Sequence, residues 1–551
     1  MRKHYRLTGG RSRRLLCVAA ALAASGSHAM EFDTGTPDLA LRWDNTLKYS
    51  AAWRLKNQSP GLISAPNVDD GDRNFDKGLI SNRIDLLSEL DLVYAKRYGF
   101  RLSGAGWYDQ VYNEKNDNPG FPGGAFPNQQ SVAYNEFTGA TRRLHGRKTD
   151  LLDAFVFGGV DIADSRLNVR LGQHSVIWGE SLFFGANAIA GAMAPVDVIK
   201  LVSVPGTQFK EAIRPVPQIS AQLQVSRTVS LGAFYQFKWE ANRLPAVGSY
   251  FSGIDTLPEG GEFLISGPGT AARRLADQSP RNRGQGGIQL RVQGEETDFG
   301  LYLVRFHSKS AQQVVNLGLG PTGPFPESYR LAYNQGIVAL GASASRTFGD
   351  MQVAIEGSLR RNQDLASSHA TDASQLFGAP LSTDNNGNPA YATGKTAHVN
   401  ISTIWTLPKT PLASEATFTG EIMWNRVLSV TKGASALDPN STRDAVALRF
   451  ILEPSYRQVL PGLDLSVPIG LGYSPKGSRS QALGPGLPAE NGGDLTIGLN
   501  GSYLDAWRFG LSYTHHYGSE GTLLVGNPPS FSYQQHLRDR DFIAFSMRHT
   551  F

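Results

Sequence analysis

Asp541-Phe542-Ile543-Ala544-Phe545-Ser546-Met547-Arg548-His549-Thr550-Phe551, the end of a 551-residue sequence, is the stretch whose reading decides the fold. Phe551, His549, Met547, Phe545 and Ile543 share one parity, and Thr550, Arg548, Ser546, Ala544 and Phe542 the other. Side chains alternate across a strand, so this is a strand with one mostly apolar face and one mostly small or polar face. A soluble sandwich can carry such a strand, but a buried soluble strand rarely has Arg or Lys on its second face.

Working outward, the same layout recurs. Leu41, Trp43, Leu47, Tyr49, Ala51, Trp53 and Leu55 lie on one parity, broken by Asn45, against Arg42, Asp44, Thr46, Lys48, Ser50 and Arg54. Ile84, Leu86, Leu90, Leu92 and Tyr94 oppose Arg83, Asp85, Glu89 and Asp91, and Trp507, Phe509, Leu511 and Tyr513 oppose Arg508, Ser512 and Thr514. Apolar faces with aromatics at their ends, backed by charge, are the pattern of strands that face lipid outside and a wet lumen inside. A terminal Phe closing such a strand resembles the C-terminal signal of bacterial outer-membrane β-barrels, which the assembly machinery is expected to read.

Short turns near 95–97, 163–165, 226–227, 294–296, 348–350, 408–412, 460–462 and 505–506 alternate with long loops. Together they predict an all-β, transmembrane antiparallel barrel of about 18 strands, with 16 as the alternative count, both termini on the periplasmic side of a cell outer membrane. No stretch beyond the N-terminus approaches the 18 or so apolar residues of a membrane helix.

Arg2, Lys3, Arg6, Arg11, Arg13 and Arg14 precede the apolar run 15–24, and Ser27-His28-Ala29 supplies a cleavage site, so residues 1–29 read as a secretory signal peptide and 30–551 as the barrel. All six basic residues leave with the peptide, so the formal charge of +5 belongs to the precursor and nucleic acid is not an expected partner. The single cysteine, Cys17, leaves too, which excludes a disulfide and a thiolate metal site.

One long loop does not look like a surface loop. Within 179–215, Ser181-Leu182-Phe183-Phe184-Gly185-Ala186-Asn187-Ala188-Ile189-Ala190-Gly191-Ala192-Met193-Ala194-Pro195 is apolar and rich in small residues. Exposed, it would be insoluble; the expectation is a plug or constriction folded into the barrel, with a short helix near 196–202. The alternative is an additional strand pair. The expected path and plug residues are Trp178, Glu180, Phe183, Phe184, Ile189, Asp197, Lys200, Lys210 and Glu211. The charged ones are expected to pair with wall groups such as Arg170, Asp85 or Glu89, unless they lie in solvated loops.

Asp70, Asp72, Asn74 and Asp76 put oxygen ligands at alternate positions, the start of a calcium loop. Phe75 stands where the EF-hand turn needs Gly and Ser81 where it needs Glu, leaving an irregular calcium site or solvated loop carboxylates. Gly472 to Ser478 has phosphate-loop glycine spacing without its Lys. Neither G-x-S-x-G nor H-E-x-x-H occurs, and adjacent His515 and His516 point to opposite faces, so no catalytic residue and no cofactor is expected. His398 or His516 beside a lumen Ser is the one place a barrel hydrolase could be assembled.

Asn74-Phe75-Asp76-Lys77-Gly78, Ser81-Asn82-Arg83-Ile84-Asp85-Leu86-Leu87-Ser88-Glu89-Leu90-Asp91, Gly172-Gln173-His174, Trp178-Gly179-Glu180-Ser181, Ala194-Pro195-Val196-Asp197 and Pro205-Gly206-Thr207-Gln208-Phe209-Lys210-Glu211-Ala212 together resemble a proteobacterial outer-membrane family, domain of unknown function thirteen-oh-two. The resemblance runs over nearly the whole chain after the signal. It implies an outer-membrane barrel that moves hydrophobic or amphipathic molecules, sterols and long-chain lipids among them. The expected function is therefore a channel or transporter for that class; the rivals are a structural or adhesive surface barrel and a general porin. Expected partners are outer-membrane lipid, the barrel-assembly machinery, the hydrophobic or amphipathic small molecule and a periplasmic transport partner.

Overall fold

The computed structural model describes residues 30–120, 128–203, 209–267, 269–409, 411 and 413–551; the signal peptide read at 1–29 lies outside them. Backbone ladders dominate. We number the barrel strands β1 Leu39–Arg54, β2 Gly78–Tyr94, β3 Tyr98–Asp109, β4 Arg147–Ile162, β5 Ser165–His174 and β6 Val216–Gln224. Next come β7 Val229–Gln236, β8 Gln285–Gln293, β9 Thr297–Phe306, β10 Ile337–Phe348, β11 Met351–Asp364 and β12 Thr393–Leu407. The last are β13 Glu415–Lys432, β14 Asp444–Leu460, β15 (Leu463–Ser466 with Ile469–Ser474), β16 Gly492–Tyr503, β17 Trp507–Tyr517 and β18 Phe542–Thr550. β15 is interrupted at Pro468, which has no N–H to give the ladder.

Each strand pairs antiparallel with its sequence neighbour, and β18 returns to β1 through Thr46↔Thr550 to Arg54↔Phe542, closing an 18-stranded barrel. Phe551 completes the seam: its N–H donates to Asn45 O, and its carbonyl accepts from Asn45 N, both at 2.9 Å. Closure removes the sheet edges, which alone lets strands sit in hydrocarbon. The outer face fits that solvent, with Leu301, Leu340, Ile355 and Leu359 each about half exposed although apolar. Exposed aromatics band both ends: Tyr94, Tyr98, Phe348, Trp405 and Tyr503 beside the short turns, and Trp53, Tyr108 and Tyr235 toward the long loops.

All eight predicted short turns join consecutive strands. The connection after β9 is longer than a simple loop and carries structure of its own. Gln312–Gly320 and Gly323–Ala332 form a hairpin outside the barrel, and the wall resumes only at Ile337. That hairpin joins Phe263–Gly267, Thr270–Arg274 and Thr371–Asp372 in a five-stranded sheet, with Tyr329 and Leu331 packed on Leu264 and Ala272. Ser328 to Ala332 are buried on both faces, so the segment satisfies loop packing rather than lipid on one side.

A second cluster, Phe75, Ile80, Tyr112, Phe137, Tyr250 and Phe542, knits the loops after β1, β3 and β7 onto the last strand. Phe75 meets Tyr250 edge-on at 5.5 Å and Tyr112 at 5.8 Å. At its rim Arg54, fully buried, sits 2.6 Å from Asp72 and 3.0 Å from Asp539, and donates to Phe75 O at 2.8 Å.

Candidate functional site

Residues 178–193, in the connection after β5, contact the inner face of β9 to β13. Inner and outer are distinguished by parity: Glu356, Ser358 and Arg360 are buried where Ile355 and Leu359 are exposed, and Glu421 is buried where Ile422 is exposed. Two carboxylates on that inner face take the loop's backbone. Glu421 Oε2 accepts the amides of Leu182 (3.1 Å), Phe183 (2.5 Å) and Phe184 (2.9 Å), while its Oε1 accepts from Asn400 at 2.7 Å. Glu356 accepts Glu180 N at 2.7 Å and Ile189 N at 2.5 Å, one on each oxygen. Convergent amides on a carboxylate are charge-assisted bonds, about twice as strong as neutral ones.

The carbonyls of the same turn are gathered by cations and amides. Arg360 donates to Ala186 O, Asn187 O and Ala188 O at 2.8 to 3.2 Å. Asn187, wholly buried, donates to Asn400 Oδ1 (2.9 Å), Val399 O and Trp424 O, and accepts from His398 Nδ1 (2.9 Å) and Asn425 (3.1 Å). His398 has its second nitrogen on Thr396 Oγ1 at 2.8 Å, so both ring positions are committed to this scaffold. Lys309, in the loop after β9, donates to Ala192 O at 3.1 Å; burial, reinforced by Arg360, lowers it to about 7.

Apolar packing completes the attachment. Trp178, Ile189, Ala192 and Met193 join Phe234, Tyr302, Val304, Phe306, Ile337 and Ala339 of the wall in one buried cluster. Trp178 meets Phe234 edge-on at 5.0 Å, and the Trp178 backbone N–H donates to Met193 Sδ at 3.0 Å. Room is made by glycines. A Cβ at Gly341 would lie 2.6 Å from Ile189 Cδ1, and one at Gly179 would lie 2.2 Å from Glu356 Oε2. Gly179 also has φ +94°, where a side chain is strained. Gly179→Ala is therefore expected to displace Glu356 and lower stability by roughly 1–3 kcal/mol. Thermal unfolding in detergent checks this, and an unshifted transition would count against the contact.

Of the expected path residues, Trp178 and Ile189 are anchors packed into the wall, with Ile189 wholly inaccessible, and Phe183 is buried with its backbone N–H on Glu421. Phe184 is half-buried beside them. Glu180 is placed by its own backbone, N–H on Glu356 and carbonyl on Ser402 Oγ at 3.0 Å. The expected charge partners are corrected. Asp85 is taken by Arg83 at 2.5 Å, Glu89 by Arg101, and Arg170 lies over the Phe155 ring. Asp197 instead meets Arg243 at 3.0 Å, a guanidinium shared with Asp150 at 2.5 Å. Lys200, Lys210 and Glu211 are exposed, with Lys200 in electrostatic reach of Lys48 and Glu211 of Arg548. The short helix falls at Val198–Ser203.

The calcium expectation is redistributed. Asp72 is paired with Arg54, Asn74 donates to Gly248 O at 3.0 Å, and Asp76 is exposed, so the four do not converge; Asp70 alone turns into a carboxylate cluster, with Asp69 and Asp255. A one-turn helix, Asp70–Arg73, sends its alternate side chains apart, where an extended calcium loop would gather them. The wall groups Glu356, Arg360 and Glu421 were missed. Their signal is the breakdown of alternation opposite the loop: Tyr302, Val304, Phe306, Ile337 and Ala339 are apolar on a face where a water-filled lumen needs polarity.

Compared with solved structures, the chain is similar to Acinetobacter baumannii OccAB3 (9% identity, 93% of this chain and 99% of that chain, TM-score 0.43). It is similar to Pseudomonas aeruginosa OccK2 (OpdF), solved in complex with glucuronate (10% identity, 93% and 97%, TM-score 0.38). It is also similar to Salmonella typhi OmpF, solved in complex with Daunomycin (8% identity, 95% and 100%, TM-score 0.36). No curated protein matches. A family profile described as "Protein of unknown function (DUF1302)" matches residues 11–551, and the chain belongs to that family.

Proposed function

We propose that this protein is an outer-membrane channel, its termini periplasmic, for hydrophobic or amphipathic small molecules of the sterol or long-chain lipid class. In this reading the loop 179–215 forms the constriction or plug and no catalysis is involved. The observation that carries it is the attachment of an apolar segment to the inner wall through Glu356, Glu421 and Arg360. A loop merely displayed on the surface needs no such anchorage, whereas a constriction must resist being pushed aside by solute. Deleting residues 185–194 is expected to raise single-channel conductance in planar bilayers and to change uptake by a deletion strain grown on sterols, sphingoid bases or fatty acids. Unchanged conductance with lost surface binding would favour a barrel that acts through its outer loops.

A general hydrophilic porin is favoured by a different observation, the charge on β2 to β4. There Arg101 reaches Glu89, Asp91 (3.2 Å) and Asp153 (3.5 Å), and Lys148 meets Asp150 at 3.0 Å. Opposed charge along a lumen wall suits small polar solutes. Liposome swelling separates the two readings, because rapid passage of small sugars supports the porin.

A further inference from the structure

Loops over the barrel mouth bring together three carboxylates that the channel reading does not use. Asp69 and Asp70 come from the loop after β1, Asp255 from the loop after β7, and all three are at most 2% exposed. One oxygen from each lies within 4.8 Å of the others. Such a cluster is ordinarily dismantled by counter-ions or hydrogen bonds, and here each residue spends only half of itself that way. Asp69 Oδ2 takes Arg73 Nε at 2.5 Å; Asp255 Oδ2 takes the backbone N–H groups of Asp69 (2.9 Å) and Asp70 (3.2 Å); Asp70 takes the backbone N–H of Asn128.

The remaining oxygens, Asp69 Oδ1, Asp70 Oδ2 and Asp255 Oδ1, are buried and have no hydrogen-bond partner among the described residues. Asn128, wholly buried beside Asp70, likewise leaves its Oδ1 without one. The nearby cations are committed: Arg73 to Asp69 and Ile63 O, and Arg54 and Arg540 to Asp72. Buried acceptors without donors are rare in folded proteins and call for an ion, a proton or water.

We propose that Asp69, Asp70 and Asp255 bind one divalent cation, calcium by preference, which fastens the loop after β1 to the loop after β7. The donor set is entirely hard oxygen, which suits calcium or magnesium rather than zinc or copper. Calcium accepts the flexible, partly hydrated coordination that three carboxylates on two loops can offer, where magnesium demands a near-ideal octahedron. Without the ion, three buried carboxylates with oxygens within 4.8 Å of one another repel where water does not screen them. A cation removes that penalty by supplying the missing positive charge. This site is independent of what passes through the barrel.

Calorimetric titration of the detergent-folded full chain with calcium chloride, after chelator treatment, is expected to show one saturable site. Asp70→Asn combined with Asp255→Asn should abolish it, and magnesium should bind more weakly. In the unaltered protein, calcium should slow proteolysis within 55–77 and 237–284, a readout that stands even if the double variant folds poorly. Absence of saturable calcium binding, or equal binding by a folded double variant, overturns the assignment. Proteolysis insensitive to calcium at saturating concentration also overturns it, because a cation holding two loops together must protect them.

Discussion

Replacing Glu356 and Glu421 together by alanine is expected to raise single-channel conductance severalfold without lowering the yield of heat-modifiable folded barrel. The two carboxylates accept five backbone amides of the loop, those of residues 180, 182, 183, 184 and 189. Each hydrogen bond to a charged group is worth about 1.5–3 kcal/mol net, and a buried amide left without an acceptor adds its own desolvation penalty. Their loss exceeds what Arg360 and the Trp178 cluster can restore, so the segment should leave the wall. The ladders of β11 and β13 are made by backbone and do not depend on either side chain. Glu421→Gln keeps an acceptor oxygen and should fall between wild type and Glu421→Ala. Alanine variants that conduct like wild type would show that the loop does not limit the pore.

Arg54→Ala is expected to loosen the cap rather than the barrel. The guanidinium is fully buried between Asp72 and Asp539, and the remaining cation near Asp72, Arg540, stands 3.8 Å away. Removing one partner of a buried ion pair costs about 3–5 kcal/mol, because the other charge stays desolvated and uncompensated. The loss falls on the loop 55–77 and the loop 518–541, which Arg54 joins, so protease should cut both faster while the strands survive. Arg54→Lys should rescue little, since one ammonium cannot reproduce contacts to Lys56 O, Phe75 O and two carboxylates at once. Digestion indistinguishable from wild type would mean that the cap is held by its aromatic cluster alone.

The barrel was legible because lipid imposes one rule on every strand. An outward side chain must be apolar, and period 2 then writes that demand into each strand, from Trp43 and Trp53 on β1 to Leu511 on β17. The turns were legible for a related reason: residues 95–97, 163–165 and 505–506 interrupt alternation between two strands that must reverse direction. The loop 179–215 was legible only as an anomaly. Its apolar composition is incompatible with a surface, but composition holds no information about which wall receives it.

Partner choice is where local pattern ended and three dimensions took over. Asp197 could be read as a charge needing a partner of opposite sign, and of the wall groups the sequence offered that meant Arg170. Arg243 was selected because the loop after β7 happens to pass within 3.0 Å. Asp70 could be read as a cation ligand, and a single helical turn then aimed it away from Asp72 and toward Asp255, 185 residues distant. Facing and closure were thus determined by the sequence alone, since each follows from a residue's relation to solvent, whereas the strand count was narrowed to 16 or 18 and fixed at 18 only by the ladders. Which carboxylates hold the loop, and which face one another across it, was decided only by tertiary structure, because contacts between residues far apart leave no periodic trace in the chain.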